Sequence, residues 1–504
     1  MITPEYLLGY DVGSSSVKVT LLNAATGKPV ASATCPQTEM PIDSPQPGWA
    51  EQAPEMWWEN AQTATRQVLS EVSASKDSVL AIGISYQMHG LVIVDRNHNV
   101  LRPSIIWCDS RAVPVGDAAF EKLGASYCLE HLLNSPGNFT ASKLRWVREN
   151  ERDVYKRIHK FMLPGDYIAM RLTGEVRTTV SGLSEGVFWD FKTDNISEQL
   201  LRHYEIDRDL IPEIVPTFGV QGHLTNEAAS ALGLKAGIPV TYRAGDQPNN
   251  AFSLKTLEPG EIAATAGTSG VVYGIIDTPS SDPESRVNTF VHVNHSESAR
   301  RYGVLLCVNG TGIMNSWLRR NLAGGGDGLS YEKMNQMAAS VPVGSDNVFV
   351  LPFGNGAERM LRNREPGASF HGLNLNRHGA PHLCRAVQEG IVFSLAYGFD
   401  ILNKMGLKST VVRAGKANMF LSDVFSDAFV NTTGTQVELF NTDGSQGAAR
   451  AAGVGCGYYS SMNTAFDGLT CLKRIEPDPK KGEAYREAFE KWKTILNTQL
   501  TNQS

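Results

Sequence analysis

The stretch Tyr6-Leu7-Leu8-Gly9-Tyr10-Asp11-Val12-Gly13-Ser14-Ser15-Ser16-Val17-Lys18-Val19-Thr20-Leu21 decides the fold. The apolar run 6–10 and the alternating run 17–21 read as two strands, and the cluster 13–16 between them reads as a tight polar turn, so the whole is a β-hairpin. The pattern returns 254 residues later, where the small-residue run 261–265 enters Gly267-Thr268-Ser269-Gly270 and the apolar run 271–276 leaves it. Two copies of a strand, Gly-hydroxyl turn, strand unit at half the chain length predict a duplicated architecture.

Outward from the first hairpin, Pro54 opens a stretch with Trp57, Ala61, Ala64, Val68 and Val72 at helical spacing, and proline suits a first helical turn. Runs 79–85 and 91–94 read as strands, and 238–242 as another that ends in Arg243-Ala244-Gly245-Asp246-Gln247. Hairpins alternating with helices predict an α/β fold with a mixed sheet, divided into domains 1–248 and 249–504. A helix over 480–500 carries Tyr485, Phe489, Trp492 and Leu496 on one face as packing, and 277–283 is the one linker-like stretch.

Of the 504 residues 42% are apolar, enough for more than one core. With 46 Lys and Arg against 52 Asp and Glu the net charge is −6, which gives no basic field for nucleic acid or an anionic membrane, so the expected ligand is small. Seven cysteines without a C-x-x-C spacing argue against a disulfide framework or a zinc site and fit a reducing cytoplasm. Met1-Ile2-Thr3-Pro4-Glu5 lacks the basic and apolar parts of a secretion signal, and no run of about 18 apolar residues follows it. A homodimer is compatible with this composition.

Asp11-x-Gly13-Ser14-Ser15-Ser16-x-Lys18 places a carboxylate, a close-approach glycine, hydroxyls and a cation in one hairpin, the groups that a Mg-nucleotide triphosphate needs. It is not a Walker A loop, because the turn leads into a strand and G-x-x-x-x-G-K-[ST] is absent. An ordinary polar hairpin has the same residues, but a second such turn from another domain can clamp one polyphosphate between the two. Asp246, at a strand end beside the domain boundary, suits a general base for a hydroxyl, with a turn or helix N-cap as the commoner role for such a residue. Gln87-Met88-His89-Gly90 offers an amide, an imidazole and a glycine suited to sugar hydroxyls. Trp107-Cys108-Asp109-Ser110-Arg111 offers a charged pair whose other reading is a surface salt bridge. His292 and His295 lack a third ligand nearby and are discounted as a metal site.

Together these residues resemble the FGGY family of carbohydrate kinases, nearly end to end. The landmarks run in order from the turn after Asp11 through Trp49-x-Glu51, Gln87-Met88-His89-Gly90, Trp107-x-Asp109-x-Arg111, Phe139-Thr140-Ala141-x-Lys143 and Leu163-Pro164-x-Asp166-Tyr167. They continue through Gly245-Asp246, Gly267-Thr268-Ser269, Leu351-Pro352-Phe353 with Glu358-Arg359, and Gly447-Ala448-Ala449-Arg450. The resemblance implies two actin-like, ribonuclease H-like ATPase domains with a cleft between them, and ATP-dependent phosphorylation of a sugar, foremost D-xylulose to D-xylulose 5-phosphate. Another ketose, a sugar acid or a polyol is the alternative substrate. An actin- or Hsp70-like ATPase driving a protein partner, and a sensor without catalysis, are more remote readings.

By the same resemblance Asp246 is the base and Asp11 organises Mg²⁺. Gln87, Met88, His89, Asp109 and Gln247 line the sugar site. Gly13, Ser14, Ser15, Lys18, Gly267, Thr268 and Ser269 hold phosphates, and the turn at Gly415 to Asn418 holds adenosine. The run Ala414-Gly415-Lys416-Ala417-Asn418 departs from the family's three glycines, and Ser181-Gly182-Leu183-Ser184-Glu185-Gly186 replaces an Asp/Ala-rich segment.

Overall fold

A computed structural model describes residues 4–322 and 329–502, so the leader reading at Met1-Ile2-Thr3 lies outside the described residues. In chain order the elements that matter here are β1 (Tyr6–Val12), β2 (Val17–Asn23), β3 (Lys28–Cys35), α1 (Pro54–Glu71), β4 (Val79–Tyr86), α2 (Thr140–Asn150), α3 (Val180–Glu185), β5 (Phe218–His223), β6 (Pro239–Gly245) and α4 (Asp246–Ser253). The second half supplies β7 (Glu261–Ala266), β8 (Gly270–Ile276), β9 (Asn288–Val291), β10 (Tyr302–Val308), α5 (Gly312–Leu322), α6 (Ala380–Lys404), β11 (Val411–Gly415), β12 (Val437–Phe440), α7 (Gly444–Gly455), β13 (Cys471–Ile475) and α8 (Pro479–Thr501).

These strands build two sheets with one plan. The first runs β5-β6-β4-β1-β2-β3, and the second runs β9-β10-β8-β7-β11-β12-β13. In each, the opening hairpin is antiparallel, and its first strand pairs in parallel with a later strand that in turn pairs in parallel with a third. The sheets therefore match strand for strand, β1 with β7, β2 with β8, β3 with β10, β4 with β11, β6 with β12 and β5 with β13, and only β9 is extra. The turns Gly13–Ser16 and Gly267–Ser269 occupy the same place in the two plans, as the spacing of 254 predicts.

The parallel strands are largely buried and mostly apolar because both faces are covered. On one face of the first sheet α1 buries Trp57, Ala61, Ala64 and Val68, and Tyr10 meets Thr65 through a 2.8 Å hydroxyl contact. On the other face lies α7 of the second half, whose sequence Gly-Ser-Gln-Gly-Ala-Ala-Arg-Ala-Ala-Gly-Val-Gly has almost no bulk. The approach is so close that a Cβ at Gly9 would overlap the Ser445 carbonyl, and one at Gly83 the Ala448 carbonyl. A second tie is β9, an edge strand: Asn134 bonds both the N–H (3.0 Å) and the carbonyl (2.8 Å) of Thr289, while Ser184 Oγ accepts from Val291 N at 3.0 Å.

Some expected elements shift. The run read as 91–94 forms a short strand, Val92–Val94, that pairs with Lys160–Met162 away from the large sheets. The stretch 277–283 is no linker, because it connects β8 to β9 and Arg286 grips the buried Asp282 through two nitrogens. The carboxyl-terminal helix buries Tyr485, Phe489, Trp492 and Leu496 as expected. All seven cysteines are free, and no described helix is long and apolar enough to cross a membrane.

Candidate active site between the two halves

The carboxyl ends of β1, β4 and β6 come level with one another, Asp11 beside Ser85 and Tyr86 beside Gly245. Outside such strand ends is where open α/β sheets hold their ligands. Asp11 accepts a 2.9 Å hydrogen bond from Ser85 Oγ and presses against Gly444, where any Cβ would overlap its carboxylate. Asp246 is the first residue of α4, after Gly245 as N-cap, so it is neither a cap nor buried in a turn. Burial, and then the charge of Asp11, push Asp246 up to about 7. Burial, with Asp443 adding to it against Ser85 and Lys18, pushes Asp11 up to about 6.

The first turn is tied at its base by Gly13 N to Ser16 O (3.0 Å), and Ser15 is exposed at its tip. Ser14 takes a bond on its carbonyl from Gln52 (2.7 Å) and another on its hydroxyl from the indole of Trp107 (3.3 Å). In the second turn Thr268 is exposed, and the amino end of α5 docks underneath through Gly312 N to Gly267 O (2.8 Å) and Ile313 N to Thr268 O (3.2 Å). Asn418, in the left-handed region at φ 53°, brings its amide to Gly267, so the turn 415–418 and the second phosphate turn share one corner. Lys18 reaches across to the second half. Its ammonium is bonded at 2.7 Å to Asp443 of the second half, a partner 425 residues away in the chain.

The sugar-side residues gather under Asp246. Met88 packs on Gly245, leaving no room for a side chain there. Gln87 is buried with both its carboxamide nitrogen and oxygen unbonded, a donor and an acceptor of the kind hydroxyls satisfy. His89 stands at φ 62°, with its ring edge-on to Phe139 at 4.8 Å and tilted against Phe290 of the second half at 5.5 Å. Its carbonyl accepts from Lys143, a wholly buried ammonium on α2 that also donates to Ile106 O. Gln247 follows Asp246 in the first turn of α4, half-buried like it, and hydrogen-bonds its carboxylate.

Asp109 departs from the surface salt bridge that its spacing with Arg111 suggests. It is fully buried, not at the surface, and Arg111 holds both its oxygens while Ala50 N and Arg111 N take the remaining acceptor sites at 2.6 and 2.9 Å. Its lone pairs are used within the first half, and Arg111 also stacks over Trp49 at 3.7 Å.

Sequence reasoning assigned no role to four residues that the fold brings to this place. Ser85 orients Asp11, Lys143 anchors His89, Glu185 lies against Gly245, and Arg359 reaches from the second half over the ring of Phe139 at 5.1 Å. The landmarks that contain Lys143 and Arg359 are visible in the chain, but the charge of each becomes meaningful only through burial.

Two family models match the chain: the amino-terminal domain of the FGGY family of carbohydrate kinases over residues 6–253, and its carboxyl-terminal domain over 262–456. A xylulose kinase of Escherichia coli K12 is 30% identical over 501 residues, 98% of this chain and 99% of that one. A xylulose kinase of Bacillus subtilis 168 is 28% identical, covering 98% and 99%. Among solved structures, a xylulose kinase from Rhodospirillum rubrum superposes with a TM-score of 0.88 at 26% identity, covering 98% and 99%. Plasmodium falciparum glycerol kinase with ADP shares the fold, with a TM-score of 0.85 at 20% identity over 99% of each chain.

Proposed function

Because the chain belongs to the FGGY family of carbohydrate kinases, we propose that it transfers the terminal phosphoryl group of ATP to a hydroxyl of D-xylulose, giving ADP and D-xylulose 5-phosphate. The xylulose kinases to which it is similar over nearly its whole length support that sugar. In this reading residues 1–248 hold the sugar and residues 249–504 the nucleotide.

The observation that carries the reading is the placement of Asp246: a carboxylate at the end of β6, raised to about 7 and level with the end of β4, from which Gln87 follows with its amide unpartnered. A base with that basicity can accept the proton of a hydroxyl near neutral pH. The sugar sits over Met88 and His89 with Gln87 and Gln247 reading its hydroxyls, and the exposed tips of the turns Gly13–Ser15 and Gly267–Ser269 face the phosphates. Gly415 and Asn418 hold the adenosine. Phosphoryl transfer needs little covalent chemistry from protein, so alignment and donated N–H groups do most of the work.

The residues also fit Mg²⁺. Asp11 is a like charge to Asp246 and feels Asp443 in the same way, while Lys18 is the cation paired with Asp443. Among the described residues no three ligands form a closed metal cage, and Mg²⁺ is typically completed by phosphate oxygens and water around one or two carboxylates. Asp11 is the residue that would hold it. A Mg²⁺ held by Asp11, which Ser85 orients, would supply charge neutralisation at the transferring phosphoryl group.

The test is ADP release across a panel of pentuloses, hexuloses, polyols and sugar acids. D-Xylulose is expected to give the highest kcat/KM. Faster turnover of a sugar acid or polyol, or ATP hydrolysis indifferent to any sugar, overturns the reading.

A further inference from the structure

His89 is held from three directions, and Glu185 supplies two of them. The main-chain carbonyl of Glu185 meets His89 Nδ1 at 3.0 Å, and its carboxylate Oε1 accepts from His89 N at 3.4 Å. Lys143 fixes the His89 carbonyl from the far side at 2.8 Å. These bonds hold a non-glycine residue in the left-handed region, a conformation that costs free energy unless its surroundings impose it. The second carboxylate oxygen of Glu185, 1% exposed as a residue, has no hydrogen-bond partner and lies where a Cβ of Gly245 would stand, directly before Asp246.

A carbonyl oxygen can only accept, so the Nδ1 facing it carries the proton. Burial, and then Lys143, hold the ring far below the usual imidazole range, at about 3, so it is neutral and Nε2 is left as a pure acceptor. We propose that Glu185 is a positioning residue of the sugar site: it seats His89 in one tautomer and one backbone conformation, so that Nε2 accepts a hydrogen bond from a substrate hydroxyl beside Asp246. The site then recognises a donor at that position, and a ligand offering only an acceptor there is excluded. Asp246, Asp166 and Tyr86 face the Glu185 carboxyl, and burial followed by the charge of Asp246 raises it well above the ordinary carboxylate value. Glutamine matches the Glu185 side chain in shape and keeps an oxygen that can accept from His89 N.

This inference rests on the sugar-kinase reading, and its test separates the two. Wild-type turnover of D-xylulose tests the reading; the variant-to-wild-type ratio and the histidine tautomer test Glu185. In the full-length protein with ¹⁵N-labelled histidine, His89 is expected as the Nδ1–H tautomer, and an Nε2–H tautomer overturns the proposal without any variant. Glu185→Gln keeps the acceptor for His89 N and should hold both the tautomer and kcat/KM near wild type. Glu185→Ala should lower kcat/KM for the sugar about 10–100-fold, the scale of one buried hydrogen bond lost, mostly through KM, with KM for ATP unchanged. A folded Glu185→Ala variant with unaltered sugar KM, or Glu185→Gln as damaged as Glu185→Ala, overturns it. If Glu185→Ala does not fold, the wild-type tautomer and the Glu185→Gln kinetics still decide.

Discussion

The two halves share a sheet plan, and each places an aspartate just after the third parallel strand: Asp246 after β6 and Asp443 after β12. Their chemistry diverges. Asp246 has Asp11 for a neighbour and is raised to about 7. Burial would raise Asp443 too, but the ammonium of Lys18 and hydrogen bonds from Lys18, Gln446 N and Ser445 outweigh it and hold it below the usual carboxylate range. The hairpins differ in the same sense, since Asp11 in the first corresponds to Thr265 in the second. Topology fixes where a carboxylate stands, and the nearest charges decide whether it becomes a base or a strut.

The strongest way to break this contrast is to neutralise each aspartate in turn. Asp246→Asn should cut kcat by roughly 10²–10⁴, the worth of a positioned general base, while Asp443→Asn should retain most turnover. Equal losses in steady-state assays would mean that the two carboxylates share the chemistry.

Asp109→Asn probes a third carboxylate, paired within one half. Removing one charge from a buried pair costs about 3–5 kcal/mol, so chemical denaturation should show a large stability loss, with little change in sugar KM for the protein that remains folded. Wild-type stability together with a raised KM would return Asp109 to the sugar site.

The raised Asp246 can be sharpened by titration of the ligand-free protein. NMR of labelled aspartate should place its midpoint near 7, and Asp11→Asn should move it lower by removing a like charge. The sign for stability follows from proton linkage. The folded state keeps this proton more tightly than the unfolded chain does, so the contribution is complete below the ordinary 3.8 and is lost as pH rises through about 7. Asp246→Asn should therefore melt higher than wild type above neutrality and equally at acid pH. A midpoint near 3.8 in the native protein would contradict the assignment.

The smallest effect belongs to the pair across the halves. Lys18 is 36% exposed and Asp443 29%, so Lys18→Met should cost only about 0.2–1 kcal/mol, read by thermal melting, with turnover close to wild type. A loss of ATP affinity far beyond that would restore Lys18 to the phosphate site.

The strand–turn–strand repeat is legible in the sequence because glycine and hydroxyl residues are required wherever backbone must turn tightly, and two copies carry the same punctuation. Asp246 is legible for a related reason: a strand end with glycine beside it is visible in one dimension. The partner of Lys18 is not, since nothing local marks a contact 425 residues away. Asp109 and Arg111 sit at a spacing that looks identical at the surface and in a core, and only packing against Ala50 and Trp49 distinguishes the two. Glu185 is hidden more deeply still. Its importance arises from an oxygen against Gly245 and a carbonyl against His89, and neither leaves a periodicity or a motif.

The seating of α7 beneath the first sheet also bears on how the chain is made. β1, β4 and β6 are synthesised early, yet the floor they rest on consists of residues 444–455, far later in the chain. Gly9 and Gly83 offer no side chain to cover that underside, so the nascent first half leaves the ribosome with an open apolar face that it cannot seal alone. Until those residues emerge the underside stays open, and exposed apolar surface of that kind is prone to aggregate. A polypeptide released before residue 455 should aggregate, however complete its first sheet.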